Sequence, residues 1–271
     1  MNRNRRRLLI GAFSLAAAAL VAWFATWFRQ GPRKVAAGER KRPPKRPPGR
    51  PKPVLEEDLG PTLRRLDAWY AAHLPPDRYA FNPPATDAQL DAFERLTGIK
   101  LPRSYRQLYR WHDGEDDDRA GHIYGLPILS LHEAASQWMA WNRVLAEFKG
   151  DRYKIRASSW PPGAVDPAYI NRYWIPLTHD GAGNHIGLDF DPWPRGRVGQ
   201  VILFGRDQDV KAVLAPSLGK FLEWIAGLLE SGNFRLEPEP NRLREFRLKT
   251  PEADGFDDGA RKLLGAPGPF L

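Results

Sequence analysis

Around a glycine-rich turn the chain gathers Asp180, His185, Asp189 and Asp191, and His112 with Asp113 could be added from upstream. In a strand Asp189 and Asp191 point to the same face, so the pair could hold a hard divalent cation or divide acid and base roles. The same residue types also build turns. Asp, Asn and Gly are what hairpin ends require, and Asp191 precedes Pro192, where a strand finishes. The turn reading is preferred, so no catalytic residue, cofactor or metal site is expected, and a metal-dependent hydrolase ranks third among the functions considered.

Other chemistry is thinly represented. There is no cysteine, which removes disulfides, thiolate metal sites and cysteine nucleophiles. Gly181-Ala182-Gly183 is no phosphate loop, because no Lys-Ser/Thr follows it and no helix opens behind it. Gly187, inside a strand pattern, reads as a bulge in preference to a close backbone approach. His73, His122 and His132 are scattered singly and read as surface or capping residues. A different feature has more promise. Asp113, Glu115, Asp116, Asp117 and Asp118 follow Trp111 within one loop, a composition suited to docking a basic protein partner, with the indole as anchor.

Charge is unevenly divided. Of the net +9, residues 1–53 hold 14 Lys/Arg against the single acid Glu39, leaving 27 basic and 31 acidic side chains for the rest. The part able to fold is therefore mildly acidic, which argues against nucleic-acid binding. Residues 1–7 form a basic tail. From Leu8 to Phe28 no residue is charged, and a helix of that length would reach about 30 Å, the thickness of a hydrocarbon layer. The stretch is too long for a signal-peptide core, so a single uncleaved transmembrane helix over 8–28 is expected. The cations that follow it favour the cytoplasmic side for the remainder. Residues 29–56 are basic and proline-rich, a stiff spacer holding the folded part clear of its anchor.

The elements that must position the candidate residues follow. Leu63, Leu66, Trp69 and Tyr70 mark a helix over 59–74. Thr86 with Gln89 and Ser130 with Glu133 are capping boxes opening two more, and Pro102 starts a short helix between them. The period then changes to short β-favouring runs at 173–177, 185–190, 201–204 and 210–214, whose tight connections permit antiparallel neighbours. A helix from Ser217 buries Leu218, Phe221, Leu222 and Ile225. The order gives an α+β fold with a central antiparallel sheet of about four to six strands, folded over 57–236, followed by a loosely ordered tail over 237–271.

The pieces Gly98–Gly114, Trp174-Ile175-Pro176-Leu177, Asp180–Asp189 and Gly199-Gln200-Val201-Ile202, in this order, resemble the successive signatures of SMI1/KNR4 (SUKH) domains. The resemblance runs from about Leu63 to Phe234. It implies a mixed fold used as a protein-binding module. Bacterial members of that family are commonly immunity proteins that neutralise toxins, and the fungal namesake takes part in cell-wall regulation. The expectation is a membrane-anchored, toxin-neutralising binder, with partner contacts at Trp111, Asp113, Glu115–Asp118, Asp180, Asn184 and Asp189. Its alternative is an envelope or cell-wall scaffold.

Overall fold

The computed structural model describes residues 44–76, 79–115, 121–239 and 242–270. Four helices come first: α1 (Gly60–His73), α2 (Asp87–Thr97), α3 (Arg103–Trp111) and α4 (Leu131–Glu147). Both expected capping boxes form. Thr86 and Gln89 bond reciprocally at the start of α2, as do Ser130 and Glu133 at the start of α4, each closing amides that a helix start leaves open. Gly98 ends α2 with φ of 69°, the left-handed conformation that glycine takes without strain. Leu90 and Phe93 are buried, while Leu96 three residues further on is exposed.

Five strands make one sheet: β1 (Ser158–Trp160), β2 (Trp174–Pro176), β3 (Asn184–Asp189), β4 (Gln200–Gly205) and β5 (Val210–Ala215), in the order β1-β5-β4-β3-β2. β2 to β5 form the antiparallel meander that their tight turns dictate. β1 runs parallel to β5, so the sheet is mixed and the expectation of a purely antiparallel sheet is corrected. A three-residue edge strand whose partner lies about fifty residues downstream leaves no periodic mark.

Ile175, Leu177, Ile186, Leu188, Val201, Leu203 and Ala212 alternate onto one face and join the main core with α1 to α4 and α5 (Leu218–Glu230). Each such aliphatic side chain taken from water contributes about 1.5–3 kcal/mol before entropy is counted. Gly187 is a site of close approach, contrary to the bulge reading: a Cβ there would lie 2.2 Å from the Ile175 carbonyl oxygen.

Both ends of the described chain depart from expectation. Residues 44–56, expected in the spacer, do not stand clear of the domain. Lys52 pairs with the 196–198 turn through its backbone, and Glu57 accepts from the Ser217 hydroxyl and the Gly219 amide at the start of α5. Beyond residue 237 the chain is not loosely ordered: β6 (Phe234–Glu239) and β7 (Arg242–Leu248) pair as a hairpin, and α6 (Phe256–Leu264) follows. Phe246, Leu248, Phe256 and Ala260 enter the main core.

The expected transmembrane span from Leu8 to Phe28 lies outside the described residues. Among the described residues no helix is long and apolar enough to cross a membrane, so the fold is corrected to the mixed sheet with its helices, and single-pass membrane placement is not carried forward.

Candidate functional site

Alternation sends Trp174, His185, Asp189, Gln200, Ile202, Phe204 and Lys211 to the sheet face opposite the main core. That face would normally meet water. Here the connection between α4 and β2 folds over it, packing Val165 and Ala168 against Trp174, Ile202 and Phe204. His185, Asp189, Gln200 and Lys211 are thereby sealed in, and a buried polar group is tolerated only where its hydrogen bonds are made.

Each of the four makes at least one. Asp189, wholly buried, accepts from Trp174 Nε1 at 3.1 Å, Gln200 Nε2 at 2.9 Å and the Asp191 amide at 3.0 Å. Burial pushes its carboxyl up to about 8, against these three donors, which favour the ionised form. Asp166 on the covering segment accepts from Tyr153 Oη at 2.9 Å and pairs with Arg152 at 3.1 Å. Arg152 also pairs with Asp191 at 3.2 Å, and Asn171 Nδ2 reaches both carboxylates. Burial likewise raises the Asp166 carboxyl.

His185 is used at both nitrogens. Nε2 accepts from Trp141 Nε1 at 3.0 Å, and Nδ1 lies 2.9 Å from the Thr178 carbonyl, to which it donates as the neutral tautomer that the indole contact requires. Burial lowers its pKa to about 4. Lys211 donates to the Gln208 carbonyl at 2.6 Å and stands over the rings of Tyr169 and Trp174, with its pKa lowered by burial to about 7. Trp138, Trp141, Tyr169, Asn171, Trp174 and Phe204 frame a cleft beside this face, about 260 Å³ with its open solvent included.

The sequence-predicted residues separate into distinct environments. Glu115 is buried: it binds His122 Nδ1 at 2.7 Å and the Ile128 amide at 2.8 Å, so it fastens its own loop instead of offering charge to a partner. Asp113 caps α4 through the Leu131 amide at 2.8 Å. Trp111, half-buried at the end of α3, donates its indole N–H to Asp67 and packs on Phe81. Asp116, Asp117 and Asp118 lie outside the described residues. Asp180 accepts from the amides of Ala182 and Asn184, closing the turn before β3. Asn184 is buried, bonding Asp180 on one side and the Asp207 amide on the other. Asp189 and Asn184 are thus removed from any partner-facing role by their burial.

What the arrangement can do is hold shape. Among the described residues no group of three His, Cys, Asp or Glu side chains could hold a metal ion. Asp166, Arg152, Asn171 and Gln200 escaped the sequence reading because nothing in their spacing marks them. Lys211 left a signal, a lone cation within the apolar run Val210–Leu214.

Comparison with known proteins adds the remaining observation. The family model described as SMI1 / KNR4 family (SUKH-1) matches residues 84–224. The cell wall biosynthesis/cell cycle regulator smi1 of Schizosaccharomyces pombe is 36% identical over 204 residues, covering 72% of this chain and 40% of the relative. The cell wall assembly regulator SMI1 of Saccharomyces cerevisiae is 31% identical over 205 residues, covering 64% and 41%. The glucan synthesis regulatory protein of Neurospora crassa is 30% identical over 227 residues, covering 71% and 43%. The chain spans about two fifths of the length of these relatives. They are named as fungal regulators and not as bacterial immunity proteins, which overturns the expectation of toxin neutralisation.

Proposed function

Because the chain belongs to the SMI1/KNR4 family (SUKH-1), we propose that it is a non-catalytic regulator that works by binding other proteins in the assembly of a cell wall or envelope. The observation that carries this reading is the likeness, across 72% of the chain, to a protein named as a regulator of wall biosynthesis. The burial of Asp189 and His185 supports it, since side chains sealed under the covering segment are out of reach of a substrate.

We assign partner contact to Trp111 and to the acids Asp116, Asp117 and Asp118 that follow it in the sequence. Complementary charge steers encounter, and a half-exposed indole supplies the anchor. Once a partner is in hand, reversing the three acids to Lys lowers its association rate at low salt by about tenfold or more. An unchanged rate removes this surface.

The function itself is tested by deleting the gene and measuring wall polysaccharide synthesis and resistance to wall-stressing dyes. The expected result is a wall defect restored by the full chain. A wild-type wall in the deletion strain contradicts the reading.

A further inference from the structure

The turn between β3 and β4 receives the basic, proline-rich segment in a way that specifies its chemistry. Arg46 extends one guanidinium nitrogen to Asp191 Oδ1 at 3.3 Å and another to the Pro192 carbonyl at 2.8 Å. Lys52 donates its amide to the Gly196 carbonyl at 3.0 Å and accepts from the Val198 amide at 3.0 Å, a one-residue parallel bridge. Arg197 then donates to the Pro53 carbonyl at 2.8 Å. Between these points Gly49 has φ of 115°, and a Cβ there would meet Pro194 at 3.3 Å.

Each contact matches what such a segment has to offer. Prolines supply carbonyls and no N–H, and Arg197 asks Pro53 only for its carbonyl. Lys52 is the residue bonded through its own N–H, and it is not a proline. An Asp carboxylate beside a main-chain carbonyl suits a forked guanidinium better than an ammonium. The Arg46–Asp191 pair is partly exposed, so solvent competes for it and exchange is open.

We propose that the Asp191–Val198 turn is a docking groove for a basic, proline-rich extended segment of a partner protein, and that residues 46–54 are its intramolecular competitor. This rests on the protein-binding reading and names the class of partner. Tethering gives the internal segment a millimolar-scale effective concentration, so a partner must either carry a better segment or meet a chain whose own segment is disengaged.

The test uses a fluorescein-labelled peptide of residues 44–54, followed by anisotropy on titration with the full chain. Arg46→Ala in the chain weakens the competitor and should tighten peptide binding by about fivefold or more. In that background Arg197→Ala or Asp191→Asn should weaken it by about tenfold, as should Arg46→Ala or Gly49→Val in the peptide. Arg197→Ala is the second arm because Asp191 also holds Arg152 and Asn171. Equal affinity for wild type and Arg46→Ala, or no binding to either, overturns the proposal. A wild-type dimer that the peptide dissociates also overturns it, assigning the groove to a second copy. A wall defect on deletion together with no peptide binding removes the groove and leaves the regulatory reading standing.

Discussion

Lys211 stands on β5 with apolar neighbours along the strand and its ammonium under two aromatic rings, fully buried. Its folded pKa of about 7 lies below the unfolded 10.5, so the unfolded chain binds the extra proton between these values. Its contribution is therefore complete above pH 10.5 and lost as pH falls to 7. Lys211→Met, similar in volume and never charged, should raise the midpoint of thermal unfolding at pH 6, with a gain that shrinks towards pH 10. Equal gains at both pH values contradict the burial account. Asp189 has the opposite sign. Its folded value of about 8 exceeds the unfolded 3.8, so this group's part of the stability falls as pH rises between them. Asp189→Asn abolishes that slope and sets an amide hydrogen against Gln200 Nε2, costing about 1–3 kcal/mol by urea unfolding at pH 5. Glu115 shows the limit of reading residues alone. In sequence it belongs to an acidic run, yet its carboxylate answers His122 and the Ile128 amide, a role that only its three-dimensional neighbours reveal.

At the scale of elements, what was legible was what is local. A capping box is complete within four residues, and both formed as read. β1 was illegible because its partner β5 lies far downstream, and Gly187 was misread because its constraint comes from the neighbouring strand. Gly187→Ala would drive a methyl into the Ile175 carbonyl and the Phe204 ring, so a loss of about 3 kcal/mol or more is expected in denaturant unfolding. A loss under about 1 kcal/mol would mean that the β2–β3 pairing yields easily. The start of α5 is closed from far along the chain, by Glu57 on the Ser217 hydroxyl and the Gly219 amide. Glu57→Ala should lower stability by about 1 kcal/mol, as for other lost helix caps. A Cβ on Gly219 would fall 2.6 Å from the Glu57 carboxyl carbon, so Gly219→Ala should carry a similar penalty in the same measurement.

For the whole molecule, composition misled at both ends. Proline and charge in residues 44–56 and 237–270 suggested chain outside the fold, whereas the first lies on the domain and the second closes it. The C-terminal closure depends on Arg261, nearly fully buried, which donates to the Gln208 side chain, to the Val210 carbonyl at 2.7 Å and to the Pro267 carbonyl at 3.1 Å. Sparse aromatic residues were the missed signal: Phe246 and Phe256 each stack on Tyr124, too widely spaced to form a period. The central claim is that this assembly acts by holding another protein. It is tested most directly by purifying the full chain from its own cells under native conditions, beside the Asp116→Lys, Asp117→Lys, Asp118→Lys variant. The account predicts a stoichiometric partner from the wall-assembly apparatus with the wild type, depleted with the variant. Recovery of the chain alone, or of the same proteins in the same amounts with both, would contradict it.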